Sequence, residues 1–79
     1  MLTVYSKPRC MDCMYTKMYL EQNKIKYENV DIEANSGEFE LLKHYGFTSL
    51  PVMVIDDEFS DPNKVWMEFQ VDKLERLIE

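Results

Sequence analysis

Two cysteines three residues apart, Cys10 and Cys13, lie directly behind a short β-rich run, Leu2-Thr3-Val4-Tyr5, and at the head of a stretch with helical periodicity. No other feature of the chain restricts its fold as tightly. Ser6-Lys7-Pro8-Arg9 ends the run with turn chemistry. From about Cys10 to Asn23, Met11, Met14, Tyr15, Met18 and Tyr19 recur at helical offsets opposite Lys17, Glu21, Gln22 and Lys24, so that stripe is expected to face the core. Both cysteines then belong to the first turn of a helix. A bridge that closes so small a loop removes little entropy from the unfolded chain, so stapling is a poor reason for the pair.

The rest of the chain continues the strand and helix alternation. Tyr27-Glu28-Asn29-Val30-Asp31-Ile32 reads as a second strand with Val30 and Ile32 on one face. Asn35 or Ser36 is placed to cap a helix with Phe39, Leu42 and Tyr45 inward, and Gly46 marks its end. Leu50-Pro51-Val52-Met53-Val54-Ile55 is nearly continuous in apolar residues, as a strand covered on both faces is, and should lie centrally in the sheet. Val65-Trp66-Met67 pairs back after a turn that is either tight at Asp56-Asp57 or wider around Asp61-Pro62-Asn63. Asp72 and Glu75 resemble a capping box for a last helix with Leu74, Leu77 and Ile78 on its apolar face. The order β-α-β-α-β-β-α predicts an α/β fold, a four-stranded mixed sheet flanked by three helices, as one domain over residues 1–79.

Such a pair can do disulfide exchange, which needs a thiolate to attack and a second thiol to resolve the mixed disulfide. At a helix start, unpaired N–H groups and the helix dipole favour negative charge and bring a thiol from about 8.5 towards 7 or below, which makes Cys10 the nucleophile and Cys13 the resolving thiol. Lys7 and Arg9 reinforce that effect. Asp12 opposes it, and the helix end and the cations are expected to prevail. Zinc asks for four ligands, whereas the chain offers two cysteines and His44 on another helix, so no metal is expected.

Composition removes other classes of function. With 15 acidic against 9 basic residues the net charge is −6, which repels phosphate backbones and anionic membranes. Neither nucleic acid nor membrane is an expected partner. The first residues enter a strand pattern with no secretory signature, so a soluble, cytoplasmic monomer is the expectation. His44 and the Asp56-Asp57-Glu58 cluster read as solvated. Met14, Met18 and Met53 read as core filler, while Met11, inside the Cys-x-x-Cys, should stand at the rim of the site. Tyr5 and Tyr15 are read as packing near it.

With Cys10-Met11-Asp12-Cys13 behind Tyr5-Ser6-Lys7-Pro8, and Leu50-Pro51-Val52 about forty residues on, the chain resembles glutaredoxins of the thioredoxin superfamily, and most of all the NrdH-redoxins. The resemblance implies a thioredoxin-like fold in which Pro51 is cis beside the cysteines and the Leu50 backbone receives an extended substrate. Glutaredoxins carry Gly-Gly and then Asp after the hairpin, where they bind glutathione. Here Met67 and the acidic Glu68 would crowd and repel that peptide. NrdH-redoxins show Trp-Ser-Gly-Phe-Arg-Pro-Asp, of which Trp66, Phe69 and Asp72 are kept while Met67, Glu68, Gln70 and Val71 depart. Met11, Leu50, Pro51, Trp66 and Phe69 are thus the expected substrate-binding residues, with Trp66 weighed also as core. By resemblance the partners are thioredoxin reductase as donor and ribonucleotide reductase as client, with no cofactor beyond the redox-active disulfide. Glutathione-dependent glutaredoxin activity is the alternative. An iron–sulfur redoxin is a more distant one, since its usual Cys-Gly-Phe-Ser setting is absent.

Overall fold

In the computed structural model, which describes residues 1–78, strands β1 (Leu2–Ser6), β2 (Tyr27–Asp31), β3 (Val52–Ile55) and β4 (Val65–Met67) form one sheet in the order β2-β1-β3-β4. β1 runs parallel to β2 with Leu2 opposite Tyr27, and antiparallel to β3 with Tyr5 opposite Val52. β3 pairs antiparallel with β4, Val52 opposite Met67. The parallel pair needs a crossover, which helix α1 (Met11–Gln22) supplies. Helices α2 (Ser36–His44) and α3 (Val71–Glu75) complete the expected α/β order.

The sheet divides the core in two. Leu2, Val4, Met53 and Trp66 meet Leu20 of α1 and Leu74 of α3 on one face. Tyr5, Val52, Val54 and Val65 meet Leu42 of α2 on the other. Because β1 and β3 are central and covered on both sides, their side chains are almost all buried, which explains the unbroken apolar run at 52–55.

Several local expectations are corrected. The α1 residues that face inward are Cys13, Thr16 and Leu20, while Met14, Tyr15 and Met18 are 45–47% exposed; Met11, expected at the rim, is 55% exposed. With Cys13, Thr16 and Leu20 turned to the sheet, the methionines on the opposite side of the helix are left to solvent. Met53 alone of the three expected core methionines is buried. Leu42 of α2 is buried, but Phe39 and Tyr45 are exposed, Tyr45 stacking on Phe59 at 5.0 Å between ring centroids. Asn35 occupies the N-cap of α2 without a side-chain cap bond, its amide donating to the Asp31 carbonyl instead. Asp72 and Glu75 form no capping box, because the cap position of α3 is Gln70, whose side chain donates to the Met67 carbonyl. Ile78 is half exposed.

Other signals translate directly. Gly46 (φ 84°) ends α2 in a Schellman turn, with Gly46 N–H donating to Lys43 O and Phe47 N–H to Leu42 O. The β3–β4 connection uses both candidate turns. Asp56 and Asp57 are left-handed, and the loop then widens to an Asx turn in which Asn63 N–H donates to Asp61 Oδ1.

Tyr5, 4% exposed, has its hydroxyl pushed up from 10.0 to about 12, first by burial and then by the charge of Glu38. The folded chain therefore binds this proton more tightly than the unfolded chain. Its contribution is fully present below about pH 10 and is lost as pH rises towards 12, a fall of about 2–3 kcal/mol in stability. Urea titrations of the wild type and Tyr5→Phe at about pH 8 and pH 12 check this, with the variant expected to lose less.

Candidate active site

The redox pair is held by the start of α1. Arg9, in the left-handed region (φ 65°), turns the chain out of β1, and Cys10 adopts extended angles (φ −101°, ψ 110°) as the N-cap. Its Sγ accepts the Cys13 N–H at 3.1 Å, standing where the oxygen of a serine or aspartate cap would stand. Cys10 and Cys13 form a disulfide with their Cα atoms 5.2 Å apart. Cys10 is partly exposed, whereas Cys13 is 1% exposed beneath it. An attacking disulfide or thiol therefore reaches Cys10 and is screened from Cys13.

Two clefts meet at Cys10. The larger, of about 550 Å³, runs between α1 and α2 and is walled by Lys7, Asp12, Phe39, Lys43, Leu50 and Glu68. The Leu50–Pro51 peptide is cis, with Pro51 buried and its carbonyl accepting the Glu68 N–H at 2.8 Å. That bond ties the loop after β4 to the segment beside the cysteines. Glu68 itself is left-handed (φ 69°), at the position where the Trp-Ser-Gly-Phe pattern has glycine. The backbone thus keeps a glycine conformation at an acidic residue that lines the cleft. A smaller cleft of about 360 Å³ follows the outer face of α1, with Lys7, Arg9, Cys10, Met11 and Cys13 in its wall.

Of the residues singled out from the sequence, Lys7, Cys10, Asp12 and Leu50 converge on the first cleft, with Pro51 behind its wall. Arg9 and Met11 open on the second. Trp66 and Phe69 line neither cleft. Trp66 is 6% exposed in the core under α1 and α3, and Phe69 packs against the same cluster with Tyr15 6.2 Å away. Phe39 and Lys43 were missed as cleft residues because the α2 pattern reads Phe39 as core. Lys43 lies over the Phe39 ring, 5.1 Å from its centroid. His44 and Asp56-Asp57-Glu58 are exposed. Among the described residues no group of three or more His, Cys, Asp or Glu is arranged to hold a metal ion, and no helix is long and apolar enough to cross a membrane.

Comparison with known proteins points the same way. The profile of the family described as Glutaredoxin matches residues 2–60. The glutaredoxin-like protein NrdH of Lactococcus lactis is 35% identical over 57 residues, 72% of this chain and 79% of that protein. The protein of the same name in Salmonella typhimurium is 28% identical over 76 residues, 96% of this chain and 86% of that protein. Among solved structures, the glutaredoxin-like protein NrdH-redoxin from Escherichia coli, described as having a thioredoxin-like activity profile, superposes with a TM-score of 0.85 at 28% identity. The match covers 96% of this chain and 92% of that one.

Proposed function

The chain belongs to the glutaredoxin family, among its NrdH-type redoxins, and from that premise we propose that it is a dithiol electron carrier that reduces a disulfide of ribonucleotide reductase and is recharged by thioredoxin reductase. The observation that carries the chemistry is the N-cap position of Cys10, where a backbone N–H already points at its sulfur.

In the reduced protein the Cys10 thiolate attacks one sulfur of the client disulfide. The Cys10–client S–S bond forms, the client's own S–S bond breaks, and the released client thiolate takes up a proton. Cys13 then gives up its proton and attacks Cys10 Sγ. The Cys10–Cys13 disulfide forms, the mixed disulfide breaks, and the second client thiolate leaves. Two electrons have passed to the client, and thioredoxin reductase returns two to the pair by the reverse sequence. Lys7 and Arg9 favour the Cys10 thiolate and Asp12 opposes them. Leu50, with Pro51 behind it, receives the extended client segment through its backbone.

Glu68 supports thioredoxin reductase over glutathione as the donor, because this acidic residue lines the cleft that an anionic tripeptide would enter. The thioredoxin-like activity profile of the E. coli relative agrees. Lys7 and Lys43 on the same walls favour the second reading, glutathione-dependent reduction. A coupled NADPH-oxidation assay on one disulfide substrate separates them. Turnover is expected with thioredoxin reductase, and turnover only with glutathione plus glutathione reductase overturns the proposal. Glu68→Gly is expected to raise glutathione-dependent turnover several-fold. It should also stabilise the fold by about 0.5–1 kcal/mol in urea titration, since relief of the left-handed residue exceeds the added freedom of the unfolded chain.

A further inference from the structure

Met11, Met14 and Met18 are 55%, 45% and 47% exposed and, at spacings of three and four, form one row along the outside of α1. The row begins at the redox pair, and its cleft has Cys10 and Cys13 in the wall. Three cations, Lys7, Arg9 and Lys17, line the same cleft against one anion, Glu21. The local sign is thus opposite to that of a chain with net charge −6. Among the described residues none of the three cations is held in an ion pair. Glu21 accepts the Tyr27 hydroxyl at 2.9 Å and so turns towards its own fold. Scattered exposed methionines would need no explanation, but an unbranched, polarizable row rimmed by unpaired cations and running into a reactive sulfur is the composition of a surface that adapts to a partner.

We propose that this face of α1 seats an acidic, apolar segment flanking the target disulfide of a protein partner, its carboxylates on Lys7, Arg9 and Lys17 and its apolar side chains on the methionine row. The proposal deepens the reading of the chain as a protein-disulfide reductant and rests on it. The cleft between α1 and α2 receives the residues around the scissile disulfide, and the methionine face adds affinity beyond them. A second copy of this chain is the less suitable occupant, since two copies would each bring the same excess of cations to the contact.

The test uses pre-reduced protein and two synthetic peptides, each with one cysteine bonded to 2-nitro-5-thiobenzoate, whose release is read by absorbance. One peptide has a Glu-Leu-rich flank and the other a Lys-Ser-rich flank, with hydroxyethyl disulfide as the small control. The Glu-Leu peptide is expected to react about tenfold more efficiently, the gain lying in half-saturating concentration and shrinking with added salt. Met14→Gln/Met18→Gln should erase most of that gain and Lys17→Glu should reduce it, with thermal unfolding and the rate on hydroxyethyl disulfide unchanged. Equal rates for the two peptides, or a gain that survives the double methionine variant, overturn the proposal while leaving the reductase reading in place. Concentration-dependent dimerisation of the wild type that the double variant loses also overturns it, giving the face to a second copy. Failure of the wild type on all three disulfides overturns the reductase reading itself.

Discussion

Cys10→Ser is expected to lower protein-disulfide reduction to background, a loss of about 10³-fold or more, because a serine hydroxyl neither ionises near neutral pH nor forms the mixed disulfide through which the electrons pass. The fold should survive, since Cys10 is partly exposed at a helix cap and a serine oxygen accepts the same Cys13 N–H. Cys13→Ser should behave differently. The attacking sulfur remains, so the first exchange proceeds, and with no resolving thiol the protein halts as a covalent adduct with its client. Mass spectrometry under non-reducing conditions reads that outcome as a mass increase that dithiothreitol removes. The assignment of roles is overturned if the two variants exchange behaviours. Cys13, 1% exposed, gives a physical reason why they should not.

The contrast between these sulfurs was legible in the sequence because it is local: a strand, a turn and a helix start within about a dozen residues determine which one meets solvent. The element order was legible for the same reason, each element carrying its own period and punctuation, with Gly46 at the end of α2 as an example. Two things were not. The first was the rotation of α1. Its periodicity admits two inward faces, and the methionine stripe is the more hydrophobic one, yet the face that is buried is Cys13, Thr16 and Leu20, a choice made by the tertiary packing and carried by no local pattern. Among the described residues the buried Thr16 hydroxyl has no hydrogen-bond partner, a cost that no local pattern signals. The second was the cleft beside Cys10, assembled from α2, the segment before β3 and the loop after β4. Leu50 and Glu68 were reached through the family resemblance, whereas Phe39 had no signal separating a groove wall from a core contact. The backbone shape of a glycine persists at Glu68 without the glycine, which only the dihedral angle reveals.

Trp66 shows where stability and function meet. Trp66→Ala is expected to cost about 3–5 kcal/mol, since the ring fills the space between β3 and the helices α1 and α3, touching the cluster of Leu20, Met53 and Leu74. A chain of 79 residues has about 4–12 kcal/mol in total at typical values per residue, so the variant should be largely unfolded at physiological temperature or close to it. Trp66→Phe tests what the ring is for. The indole Nε1 is buried without a hydrogen-bond partner among the described residues, a loss of about 1–3 kcal/mol that phenylalanine does not incur. That relief offsets much of the smaller cavity, and the net change should stay below about 1.5 kcal/mol. Circular dichroism during urea unfolding measures both variants, because the chain's single tryptophan fluorophore is lost in each. Since Trp66 lines neither cleft, the phenylalanine variant should reduce disulfides within about twofold of the wild-type rate. A large loss of activity with the fold intact would instead make the indole a direct client contact. Its burial at 6% exposure argues that the client meets only the surface this side chain holds in place.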